Sequence, residues 1–196
     1  MRFRYERTTN YYRIDMSKVL ELMSLVEELH EFASLQITLP EEVNNIIQSV
    51  RSQIPGDQIY WEEDLGHSYE AHTTIFWGLS SLDDVVPIAR HLHGKGPFPL
   101  IIGNSVSAFT SSKENDVLYF PVLREELSQI HYELRHILHK DPPTFREYTP
   151  HVTIAYVKKG YDPAPLVVPF EKLVCFVDTL DFRAEDETSI KISLME

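Results

Sequence analysis

Apolar positions along the chain switch between helical and strand spacing. From Ser17 to Phe32, Val19, Met23, Val26 and Leu29 form one stripe, with Glu21, Glu27, Glu28 and Glu31 mostly off it, which predicts an amphipathic helix. Leu20, Leu22 and Leu25 widen the stripe, so this helix is expected to pack on more than one side. Ala33 to Leu39 predicts a short strand. Thr38-Leu39-Pro40-Glu41 reads as a helix start with a capping Thr, an early Pro and a Glu three residues on. Val43, Ile46, Ile47, Val50 and Ile54 continue at helical spacing, and Pro55-Gly56-Asp57 ends the run.

Strand spacing and β-branched or aromatic content predict strands at Ile59–Trp61, Ala71–Leu79, Pro99–Phe109, Val117–Val122, His151–Val157, Leu166–Val168, Leu173–Arg183 and Ile190–Leu194. A short helix from Asp83-Asp84 to Leu92 is compatible with Pro87 only if Pro87 falls in its first turn. Leu123, Leu127, Ile130, Leu134 and Ile137 alternate by four and three and predict a longer helix. No linker composition divides the chain, so 1–196 is expected to be one domain. One coarse repeat stands out, a helix preceding a strand that carries His-x-Thr.

The two strands in that repeat carry the candidate chemistry. They are Glu70-Ala71-His72-Thr73-Thr74-Ile75-Phe76-Trp77-Gly78 and Thr149-Pro150-His151-Val152-Thr153-Ile154-Ala155-Tyr156. Side chains two apart on a strand share a face, so His72 is expected beside Thr74, and His151 beside Thr153. Imidazole titrates near neutrality, so a histidine pair can supply a general base and a general acid to one phosphodiester without a metal. A threonine hydroxyl beside each histidine can donate to a non-bridging phosphate oxygen, where charge grows in the transition state. On an unbroken strand Phe76 shares the face of His72 and Thr74, which makes it a candidate for stacking on a base; the alternative is a core position. Glu70 has the same parity and reads as an exposed strand start.

Composition narrows the partners. Thirty Asp and Glu against eighteen Lys and Arg give a net charge of −12, which argues against a long polyanion and for a small nucleotide or short oligonucleotide. A single cysteine, Cys175, excludes an intramolecular disulfide and suits a reducing compartment. No apolar run reaches the roughly 18 residues of a membrane span, and the start lacks the apolar stretch of a secretory signal. A cytoplasmic protein with no membrane partner and no cofactor is therefore expected.

The histidine pair resembles the 2H phosphoesterase superfamily, whose members carry two His-h-Thr/Ser-h motifs, h being hydrophobic. These include 2′-5′ RNA ligase-like proteins, 2′,3′-cyclic nucleotide phosphodiesterases and viral 2′-5′ oligoadenylate phosphodiesterases. Tyr148-Thr149-Pro150-His151-Val152-Thr153-Ile154-Ala155-Tyr156 is especially similar to the second family motif. The histidines lie 79 residues apart, room for the intervening elements. Thr73 departs from the pattern by being polar. The likeness spans about Ala33 to Glu196, with residues 1–32 an N-terminal extension. It implies an α+β, bilobal fold with two antiparallel sheets around a central groove and helices outside. It implies His72 and His151 as the catalytic acid and base, and Thr74 and Thr153 as phosphate ligands. Which histidine is the base stays open, as does the oligomeric state. Two rivals to hydrolysis remain: 2′-5′ RNA ligation by the same four residues, and non-enzymatic nucleotide binding.

Other groups carry weaker signals. His91 and His93 could form a metal pair but read better as a solvated helix end. His131 and His139 flank Arg135 on what reads as a polar helix face. Tyr11-Tyr12 and Tyr60-Trp61 could line a nucleotide pocket, and Lys158-Lys159 could attract a neighbouring phosphate; core packing and a basic turn are the plain alternatives.

Overall fold

The computed structural model describes residues 33–60, 70–79, 82–140, 147–183 and 189–195. The amphipathic segment 17–32, Tyr11-Tyr12 and Trp61 lie outside these. Among the described residues the order is β1 (Ala33–Thr38), α1 (Glu41–Arg51), β2 (His72–Leu79), α2 (Leu82–Leu92), β3 (Phe98–Gly103), β4 (Ser107–Phe109), β5 (Asn115–Pro121), α3 (Glu125–Leu138), β6 (His151–Lys158), β7 (Lys172–Val177), β8 (Thr179–Arg183) and β9 (Ser189–Ser193).

Two antiparallel layers result, so the chain is α+β. One is a four-stranded sheet in the order β2-β1-β8-β9. The other joins β4-β5-β6 to the β3-β7 pair. Ile102 bridges Val122, and Leu123 N–H donates to the Ile101 carbonyl (2.8 Å), so β3 and β4 act as two halves of one broken strand along β5. The expected single strand 99–109 is interrupted at 104–106 for this reason. The expected strand 173–183 is likewise two strands in different sheets, which exchange at Asp178. Residues 166–168 form no strand; Val167 instead binds the Gln53 amide at both its N–H and C=O (2.9 Å each).

The repeat seen in sequence is a β-α-β unit used twice, β1-α1-β2 and β5-α3-β6. The helices cross over: α1 packs on β6, and α3 packs on β2. Each strand carrying a His-x-Thr motif is therefore backed by the helix of the other unit. The apolar stripes account for this, with Val43, Ile47 and Val50 of α1 and Leu127, Ile130 and Leu134 of α3 all buried.

Two helix starts differ from expectation. Thr38 does not cap α1; it is the last residue of β1, paired with His72, and Pro40 holds the N-cap position. Glu41 and Glu42 in the first turn favour that helix end electrostatically. Pro87 lies in the interior of α2, beyond its first turn, where it removes one ladder hydrogen bond.

Candidate active site

His72 opens β2 and His151 opens β6, two strands that pack against each other as the neighbouring edges of the two layers. Both rings are anchored alike. His72 Nδ1 lies 3.0 Å from the Glu70 carbonyl, and His151 Nδ1 lies 2.7 Å from the Thr149 carbonyl. A carbonyl only accepts, so each Nδ1 carries a proton. Each Nε2, on the opposite side of its ring, is left to exchange protons.

The environment distinguishes the two. Burial pushes the His151 pKa below its ordinary 6.5; the bond to Thr149 partly opposes this, and the nearby charge of His72 adds to it. Phe109 and Tyr119 enclose His151 with ring centroids at 4.9 and 5.4 Å, both edge-on, and stack on each other at 4.1 Å. Neither was marked by the sequence, because only the pairing of β4, β5 and β6 brings them to that histidine.

Thr74 and Thr153 are half-buried on the same faces as their histidines. Register fixes this: Thr38 faces His72 and Gln36 faces Thr74, while Pro121 faces His151 and Tyr119 faces Thr153. Thr73 points to the opposite, core face and is fully buried, with its hydroxyl unpaired.

Both motif strands then bulge at the same place. Pairing jumps from Gln36–Thr74 to Leu35–Phe76, skipping Ile75, and from Tyr119–Thr153 to Leu118–Ala155, skipping Ile154. The isoleucine shared by the motifs is thus the extra residue of a β-bulge, buried together with the residue that follows it. This overturns the parity that placed Phe76 beside His72 and Thr74. Phe76 is 1% exposed and packs against His131 (centroids 5.3 Å), so it is a core residue and not part of the groove wall. Trp77, 40% exposed and opposite Ser34, takes the groove-side position instead.

The bulge in β2 is held from behind. Tyr148 hydroxyl donates to the Thr74 carbonyl (2.9 Å), and His131 Nδ1 donates to the Ile75 carbonyl (2.7 Å). The two rings stack at 4.2 Å and 3°. His131 is therefore buried, contrary to the expected polar face, and burial lowers its pKa. Tyr148 directly precedes Thr149, the residue that anchors His151, so one hydroxyl ties the lead-in of the second motif to the bulge of the first. Removing it in Tyr148→Phe takes this donor away from a partly buried carbonyl and loosens the position of Thr74. The expected result is a kcat about tenfold lower, with KM within about twofold, measured by steady-state kinetics.

Other candidates are engaged elsewhere. Lys159 Nζ donates to the Thr110 carbonyl, the Ser112 carbonyl and Asp116 Oδ1 (2.5, 2.8 and 2.7 Å), which secures the β4–β5 loop instead of leaving a cation for phosphate. His91 and Lys95 both bind Glu133 (2.7 and 2.8 Å), holding its pKa down to about 2. Tyr60 donates to Glu114 (2.9 Å), and Arg183 to Glu70 (2.8 Å). No helix among the described residues is long and apolar enough to cross a membrane.

Comparison with known proteins agrees with this layout. The sequence profile of the 2′-5′ RNA ligase superfamily matches residues 39–186, a span that contains both motifs. No curated protein sequence matches the chain significantly. Solved structures do. TT0787 of Thermus thermophilus is 18% identical, with 83% of this chain and 97% of that one covered and a TM-score of 0.60. E. coli LigT complexed with 3′-AMP is 17% identical, with coverages of 83% and 94% and a TM-score of 0.57. Kluyveromyces marxianus Usb1 is 10% identical, with coverages of 83% and 98% and a TM-score of 0.50. At these identities the likeness is one of fold.

Proposed function

Because this chain belongs to the 2′-5′ RNA ligase superfamily, we propose that it is a metal-independent two-histidine phosphodiesterase. Its substrate is a nucleotide 2′,3′-cyclic phosphate or a 2′-5′ or 3′-5′ oligonucleotide linkage. The observation that carries this reading is the matched anchoring of His72 and His151, each with Nδ1–H on the carbonyl two residues before it and Nε2 left for proton transfer. That E. coli LigT, similar in fold, was crystallised with 3′-AMP supports a nucleotide substrate.

His151 is the base, because a lowered pKa keeps its imidazole neutral at physiological pH. Its Nε2 takes a proton from water as the water oxygen bonds to phosphorus. The bond from phosphorus to the leaving ribose oxygen breaks, and His72 gives that oxygen a proton. Thr74 and Thr153 donate to the non-bridging oxygens as their charge grows. The step ends with His151 protonated and His72 neutral, and exchange with solvent restores both.

The test is a panel of 2′,3′-cyclic nucleotides and 2′-5′ and 3′-5′ oligoadenylates assayed in EDTA. Turnover is expected to persist there. The acid limb of kcat/KM is expected below pH 6.5, since activity is lost only when the depressed His151 gains its proton. A limb above pH 6.5 would remove His151 from the base role, and inertness across the panel would remove hydrolysis. A joined 2′-5′ product from RNA ends would point to ligation.

A further inference from the structure

Each layer ends in an outer strand, β9 on one side and β7 on the other. β9 exposes Ser189, Lys191 and Ser193. A lysine in mid-strand is one of the ways an edge is kept from pairing with another chain. β7 has no such guard. Its run is Lys172-Leu173-Val174-Cys175-Phe176-Val177, with Leu173, Cys175 and Val177 turned to the core side. Val174 and Phe176, on the other face, are 49% and 75% exposed.

The backbone of that edge is open as well. Leu123 N–H donates to the Ile101 carbonyl, so Ile101 turns its backbone groups toward β5. Pro99 shares that direction, so its missing N–H costs the β3–β7 pair nothing. The antiparallel bonds between β3 and β7 then run through Leu100 with Cys175 and through Ile102 with Leu173. Lys172, Val174 and Phe176 therefore aim their N–H and C=O groups outward, and these find no backbone partner among the described residues.

We infer that this edge pairs with the same edge of a second copy, β7 antiparallel to β7 about a two-fold axis. The strand is complementary to itself in one register. With Cys175 opposite the partner's Cys175, Val174 lies opposite the partner's Phe176, and Lys172 lies opposite the partner's Asp178. Asp178 is exposed and directly follows β7. Thr179 Oγ1 donates to one of its carboxylate oxygens (3.0 Å), which leaves the other for Lys172. Lys172 is exposed, with no ion pair among the described residues. The two-fold makes every contact twice, so an ion pair flanks the Val174–Phe176 contacts at each end. The outward N–H and C=O groups of Val174 and Phe176 meet in this register and bond across the axis. A slip in either direction sets a charge against an apolar side chain, Lys172 against Phe176 or Asp178 against Val174. β3 and β5 separate β7 from β6, so the pairing leaves His151 clear and is independent of the reaction.

Two strands of this length bury less than the roughly 1,200 Å² of a standard interface, so the dimer is a weak one, with an expected Kd of roughly 10–100 μM. Sedimentation of the full chain from about 1 μM to about 1 mM spans that range. Salt at roughly 0.15 M screens the net charge of −12. Lys172→Glu and Asp178→Lys each set like charges opposite each other at both ends, and each is expected to weaken the dimer about tenfold. An equal mixture of the two variants restores it, because both facing pairs are then opposite in charge, and so does K172E/D178K in one chain. Phe176→Ser weakens the dimer in every background. All these side chains are exposed, so thermal unfolding of the dilute variants stays at the wild-type value, which separates loss of the dimer from loss of the fold. A wild type that is monomeric at every concentration overturns the inference. So does a dimer that withstands either charge reversal, or a pair of variants that mixing does not restore, because the copies would then meet elsewhere.

Discussion

His151→Asn lowers kcat by roughly 10²–10⁴, the range general acid–base catalysis supplies, and His72→Asn lowers it comparably. The double variant falls little further than the worse single one, because an acid and a base that act in one step fail as a unit. Asparagine is the apt replacement, since its side-chain amide can still donate to the carbonyl of Thr149 or Glu70 that holds each ring. The two singles separate on a p-nitrophenyl phosphodiester, whose leaving oxygen departs without a proton. There His72→Asn recovers most of its loss and His151→Asn does not, if His151 is the base. Steady-state kinetics with both substrates reads this directly. Recovery by His151→Asn alone would exchange the two roles, and full activity in the double variant would end the two-histidine mechanism.

The four residues of the two motifs were legible because a strand's period of two is local information. His72 with Thr74, and His151 with Thr153, need only two residues of unbroken strand to share a face, and both strands provide it. Everything past the fourth motif position was not legible in this way. The bulge at Ile75 and Ile154 adds one residue to each strand, and parity inverts beyond it. A bulge is a property of pairing with a neighbour, so no spacing along one strand announces it. The shared isoleucine was visible in the sequence as a repeated letter, but its role as the extra residue was not. Long-range pairing hid the rest of the site for the same reason. Phe109 and Tyr119 lie on strands recognised as strands, yet only register brings them to His151. His131 read as polar on a helix face, and only the crossing of α3 onto β2 buries it against the bulge.

That inversion gives Phe76→Ala a large expected effect of a different kind. As a groove residue it would cost little stability and raise KM. As the structure places it, Phe76 is among the largest fully buried side chains, on the core side of β2, behind the face of His72 and Thr74, and against His131. Truncating such a ring costs about 3–5 kcal/mol through lost burial and the cavity left behind. At roughly 2–4 °C per kcal/mol for a chain of this length, Tm falls by roughly 6–20 °C. The cavity also opens beside the Ile75 carbonyl that His131 binds, so the bulge loosens and kcat declines along with stability. Trp77→Ala is the matched control, because it removes a larger ring from a partly exposed, groove-side position. It is expected to cost less stability and to act mainly on KM. Thermal unfolding of both variants beside their KM values decides the matter. A Phe76→Ala protein with near wild-type Tm and a raised KM would restore the unbroken strand and put that ring back at the substrate.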